Sequence, residues 1–181
     1  MAATAWSREG GLVRFALGLL IPLAAALLQG TVAPLIALGD ARPVLPLLVA
    51  GCWAIAAGAR EAIWWAFLGG LVADLLSGGP LGAFALASLP PVAAIGVQDR
   101  GLGRTTPVVA AALLVAAATL VALLTYLGIL VLTQPPVISL PLAAGTALAS
   151  AIYTGVLAVP IYPVARLLRR VTERQGALGV W

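Results

Sequence analysis

Histidine and lysine are absent from the 181 residues, and cysteine occurs once, at Cys52. Without an imidazole there is no base to activate a serine or cysteine nucleophile. Without histidine, and with one thiol, no cluster of metal-binding donors can form. A single cysteine also excludes an internal disulfide. Charge is scarce as well: Asp, Glu, Lys and Arg together make up 9% of the chain. Paired-carboxylate catalysis needs two acids within reach of one substrate. Asp74 has no acidic neighbour at helical spacing, and Glu61 is expected at the opposite membrane face. The Asp-rich signature of membrane phosphoalcohol transferases is missing. Gly78-Gly79-Pro80-Leu81-Gly82 is followed by neither the Lys nor the Ser/Thr of a phosphate loop. These absences argue against an enzyme and against a bound cofactor or metal.

What fills the chain is apolar. Hydrophobic residues make up 62% of it, and the mean hydropathy is +1.12. No soluble domain of this size needs so much apolar surface, so the composition predicts an all-α integral membrane protein of the polytopic kind. Residues 1–181 then form one membrane domain with no sizeable extramembrane part. Spans are expected at about 12–38, 44–58, 62–76, 80–97, 106–132 and 137–168. The first apolar run follows Arg8 and Arg14, as in a secretory signal. It continues past Leu28 with no convincing cleavage site, so it reads as a span.

The net charge of +4 comes from ten basic residues, all Arg. In a six-span bundle every Arg except Arg42 falls on one side: Arg8, Arg14, Arg60, Arg100, Arg104, Arg166, Arg169, Arg170 and Arg174. The positive-inside rule makes that side cytoplasmic, with both termini on it. The excess charge therefore reports topology and is not a nucleic-acid footprint. Five spans would separate the basic tail from Arg8 and Arg14. No inverted repeat is visible.

The rest of the chain is organised around residues 69–82, Gly69-Gly70-Leu71-Val72-Ala73-Asp74-Leu75-Leu76-Ser77-Gly78-Gly79-Pro80-Leu81-Gly82. An acid inside an apolar segment is costly and marks a functional or assembly site by default. On a helix, Ala66, Gly70, Asp74 and Gly78 share one face, and their small size lets another helix approach closely. That face packs internally, against segment one or two, or receives a partner helix. Ser77 to Pro80 reads as a helix end and tight turn, with Pro80 in the first turn of the next helix. Asp74 lies about 12 residues into its helix, hence about 18 Å from the cytoplasmic end. Two roles are open to it. It caps backbone donors at the Ser77–Leu81 turn or pairs with Arg42; or it makes a polar contact to a partner helix or a ligand.

Gln29 is expected to make a buried interhelical bond. Pro90-Pro91 is expected to kink segment four, because neither residue has an amide hydrogen. Trp64 and Trp65, with Phe67, read as an interfacial anchor, and Trp6 is placed at headgroup level. The basic tail is a topology signal with affinity for anionic lipid.

Leu28-Gln29, Arg42-Pro43 and residues 69–82 together resemble MreD, the rod-shape-determining membrane protein family. Residues 69–82 look like that family's G-L-x-x-D-L-L-x-G-x-x-L-G signature, which takes in Gly70, Asp74, Gly78 and Gly82, with Pro80 inside it. The similarity of layout covers nearly the whole chain. One departure is Val44, where the family often carries an acid after the proline; Asp40 lies upstream instead.

The resemblance implies a multi-pass protein of the bacterial inner (cytoplasmic) membrane. It implies a non-enzymatic scaffold that binds the single membrane helix of MreC. Indirect partners are the MreB filaments, the glycan polymerase RodA and its transpeptidase. It also implies a fold similar to the S component of energy-coupling-factor vitamin transporters. The expected outer turns, 39–42, 77–79 and 133–136, are too short to recognise cell wall, so partners are engaged through helix faces in the bilayer. Gln29, Arg42, Gly70, Asp74, Gly78, Pro80 and Gly82 are the candidate partner-binding or structural residues. The competing reading is a small-molecule-binding S component of a transporter, whose candidate lining is Gln29, Asp74, Ser88, Tyr126 and Tyr153.

Overall fold

The computed structural model describes the backbone at residues 3–98, 106–133 and 139–177, and side chains at 16–97, 106–133 and 139–171. The side chains of Trp6, Arg8, Arg14 and Arg174, the loop holding Arg100 and Arg104, and the turn around residues 134–136 lie outside the described residues. Six helices follow one another: α1 (Ala3–Thr31), α2 (Leu45–Ala57), α3 (Ala59–Ser77), α4 (Ala83–Gln98), α5 (Val108–Thr133) and α6 (Leu140–Ala177). Among the described residues there is no strand, only an isolated bridge between Leu38 and Ala41. Val108–Thr133 and Leu140–Val171 are each long and apolar enough to cross a membrane.

The helices arrange themselves around α2. It touches all five others, while α1, α3, α4, α5 and α6 meet in that order around it, with the loosest closure between α6 and α1. Pro46 to Leu48 and Ala50 to Ala56 are all buried. A helix apolar on every side has no solvent face to present, which suits it to the centre. At 13 residues it is about 20 Å long, shorter than any helix around it. The outward faces stay apolar, with Leu113, Val121 and Leu132 on α5 and Ile152, Val156 and Val164 on α6 exposed.

Several boundaries differ from expectation. Segment one ends as a helix at Thr31, and residues 32–36 form turns. Pro34 disfavours helical backbone at Ala33, which stops the run. Arg60 and Glu61, expected in a turn, belong to the first turn of α3, because Gly58 alone makes the break. Its φ of +98° reverses the chain in one residue, a conformation only glycine adopts readily. Pro80 lies ahead of α4, not inside it. Gly82 has φ +85°, which no helix contains, so α4 begins at the next residue. α4 then runs as one helix through Pro90 and Pro91, leaving the Leu86 and Ala87 carbonyls without their usual amide partners. Trp65 is buried and stacks on Trp53 at 4.5 Å, while Trp64 is exposed beside Phe67. Consecutive helical residues point about 100° apart, so the expected tryptophan anchor divides into one core and one surface residue.

Candidate functional site

The α3–α4 hairpin is built by the central stretch. Gly78 adopts φ +69° and ends α3 in the left-handed region. The Gly82 carbonyl accepts from the Leu86 amide at 2.8 Å, opening α4. The two helices then lie close enough that a methyl group on Gly70 would come within 2.6 Å of the Ala85 Cα. Ser88 of α4 reaches across to the Ala66 carbonyl at 3.4 Å. The Ala66–Gly70–Asp74 face is therefore used internally, against α4 and not against segment one or two. Gly69, one residue before Gly70, is the position that faces α1 and α2, through Pro22 and Pro46. Gly78 is exposed and takes no part in the packed face.

Asp74 is the deepest acid among the described residues, 1% exposed. Both its oxygens accept from the Phe84 amide at 3.1 Å, and Oδ2 also accepts from the Ala85 amide at 3.1 Å. These are orphan amides of the first turn of α4. The expected cap on the Ser77–Leu81 turn does not form. A helix C-terminus offers carbonyls; only the N-terminus of the next helix offers free N–H groups, and it carries the positive end of the dipole. Nor is there an ion pair with Arg42 among the described residues. The Arg42 side chain is exposed, and its backbone amide donates to Ser150 Oγ at 3.1 Å.

The N-terminus of α2 is capped in the same manner from other helices. Gln29 Oε1 accepts from the Leu45 amide at 2.7 Å, and Thr154 Oγ1 accepts from the Val44 amide at 3.0 Å. The interhelical role expected of Gln29 takes this form. At the other end of α2, the Arg169 guanidinium donates to the Ala56 carbonyl. Ser150, Thr154 and Arg169, all on α6, thus hold both ends of the central helix. Ser150 and Thr154 did not stand out in the sequence, because a Ser or Thr in an apolar helix commonly satisfies itself, as Thr154 also does on the Ser150 carbonyl at 2.7 Å, and Arg169 was read only as part of the basic tail.

Between these two capped N-termini lies a partly open cavity of about 180 Å³, lined by Gln29, Val44, Ala73, Asp74, Ser77, Phe84, Leu123 and Tyr126. Phe84 and Tyr126 meet edge to face, 5.7 Å between centroids. Gln29, Asp74 and Tyr126 are brought together here. Ser88 is buried against carbonyls of α3 and α4 instead, and Tyr153 donates to the Ile36 carbonyl at 2.8 Å. Gly70 packs on Ala85 and the Pro80 carbonyl accepts from the Ala83 amide at 3.2 Å, so neither lines the cavity, and Gly82 sets where its α4 wall begins. Among the described residues no group of acids and thiols is placed to hold a metal. The arrangement holds one carboxylate, hydroxyls and an amide around a small apolar space. It offers hydrogen bonds and charge, with no nucleophile and base pair.

The profile of a family described as rod shape-determining protein MreD matches residues 11–172, nearly the whole chain. Neither curated proteins nor solved structures yield a match.

Proposed function

We infer the function from one premise: the chain belongs to the MreD family of rod shape-determining proteins. It acts in determining rod shape. In our reading it does so as a non-enzymatic scaffold of the elongation machinery, a six-span protein of the inner membrane with both termini in the cytoplasm. It binds the MreC membrane helix and so couples MreB, RodA and its transpeptidase to lateral peptidoglycan synthesis. The family match is the observation that carries this. Three features support it. Two helices have the length and apolarity of membrane spans. The outward faces are apolar. No buried side-chain polar atom lacks a partner among the described residues, as a hydrocarbon surrounding demands.

The Ala66–Gly70–Asp74 face is occupied by α4, so the MreC helix docks on an outward face. Lipid tails compete equally for apolar surface there, and the contact rests on close packing. Co-expression and capture test the reading: the full chain retains MreC through purification. Loss of MreC under conditions that keep the chain folded overturns it. Reporter fusions after Arg104 and after Trp181 both read cytoplasmic; a periplasmic signal from the second removes the six-span topology.

The cavity is what favours the second reading, a small-molecule-binding S component. Its volume of about 180 Å³ falls below the roughly 300–1,000 Å³ usual for drug-sized ligands, which ranks that reading behind the scaffold.

A further inference from the structure

We propose that the cavity beside Asp74 is a binding site for an ammonium group borne on a short apolar stem. Both Asp74 oxygens accept, yet they take only the Phe84 and Ala85 amides between them. A carboxylate has about four acceptor positions. Ser77 Oγ spends its proton on the Asp74 carbonyl at 3.1 Å and accepts from the Gly79 amide at 3.4 Å, so toward the cavity it has one lone pair left. Gln29 Oε1 takes one amide and keeps a second lone pair, while its Nε2 brings two N–H donors. The donors of the lining are the Gln29 amide and the Tyr126 hydroxyl, both neutral groups, and Asp74 is its one acid. An ammonium has three donors and no acceptor.

Charge and shape agree with this. No cationic side chain stands against Asp74 among the described residues, and the α4 dipole supplies only about half a positive charge. A buried charge short of a partner is costly. Phe84 and Tyr126 line the same space with ring surface, to which a cation is attracted. At about 180 Å³ the cavity compares with the ~150 Å³ site that admits a benzene ring. It has room for an ammonium and its first carbons. The group can come from an aminophospholipid headgroup or from a free amine. The site is independent of MreC docking, because it lies inside the bundle.

The test uses the purified full-length chain in detergent and reads thermal unfolding. The probes are dioleoyl phosphatidylethanolamine, dioleoyl phosphatidylglycerol at the same mole ratio, and ethanolamine hydrochloride. The ethanolamine lipid is expected to raise Tm by about 4 °C or more, and the glycerol lipid by less than half as much. Leu123→Trp, which fills the cavity, abolishes that difference. Asp74→Asn does the same where it folds, and Tyr126→Phe reduces the difference. A shift with ethanolamine alone assigns the site to free amines; a shift with the lipid only assigns it to headgroups. Equal shifts from the two lipids with no shift from ethanolamine, or an amine-dependent shift that survives in Leu123→Trp, overturn the proposal. Capture of MreC, measured on the same Leu123→Trp sample, reads the scaffold function separately.

Discussion

In the α3–α4 hairpin Gly70 admits the Ala85 backbone, and in the α5–α6 hairpin Gly155 admits Ala116, whose Cβ would lie 2.7 Å from an added methyl. Both pairs use a glycine to bring helices together. They differ in their polar fastening. The start of α4 is buried at Ala83, Phe84 and Ala85, and its amides are met by Asp74. The start of α6 is exposed at Leu140 and Leu142 and meets no carboxylate among the described residues. The Thr hydroxyls of α5 turn back onto their own helix, as Thr119 does to the Val115 carbonyl at 2.8 Å. The difference teaches that the carboxylate follows the buried helix end. An N-terminus held away from water must find acceptors within the protein.

The comparison can be broken most directly at Gly70. Gly70→Leu drives a branched side chain into the Ala85 backbone, at a cost of about 3 kcal/mol or more. We expect loss of the monodisperse peak in size-exclusion chromatography, loss of MreC capture and rounded cells in a rod-shaped host. Wild-type behaviour on all three would show that the hairpin does not pack this way.

Asp74→Ala comes next. It strands the Phe84 and Ala85 amides, at a cost of about 2–3 kcal/mol. Asp74→Asn keeps one acceptor and should lose about half as much. A graded series from Asp through Asn to Ala in thermal unfolding supports the cap; an Asn variant as damaged as Ala would point to a need for the charge itself.

Gly155→Ala sharpens the contrast. Its methyl would lie 2.7 Å from the Ala116 Cβ and 3.0 Å from the Ala112 carbonyl oxygen, with the Ala116 Cα farther off at 3.5 Å. A loss of about 1–2 kcal/mol is expected, read as a lower midpoint in denaturant with MreC capture retained. An effect equal to that of Gly70→Leu would erase the distinction between the hairpins. The smallest change belongs to Leu71→Phe, whose residue is turned about 100° away from Gly70. It should stay within about 0.5 kcal/mol of wild type, and a larger shift in melting temperature would mean that this side of α3 is packed too.

Much of this was legible in the residues. Long apolar runs punctuated by Gly and Pro set the number of helices and placed most ends within a few residues. Asp74 and Gly70 identified themselves, since an acid and a glycine in an apolar helix are each costly without a reason. Arg42, Gly78 and Pro80 were found as markers of turns more than as groups that touch a ligand.

The sequence by itself determined that six apolar helices form, that one carboxylate is buried among them, and that α3 has one face narrow enough for close contact. These follow from local chemistry: apolar length, backbone freedom and the cost of burying charge. Only the tertiary structure decided that α2 stands at the centre, that Asp74 caps α4, that Gly70 meets Ala85, and that Gln29, Ser150, Thr154 and Arg169 hold the ends of α2. A helix apolar on every side carries no period to say which face turns inward. A free amide at a helix end accepts any oxygen the fold brings to it, however far away in the chain, as Thr154 reaches Val44.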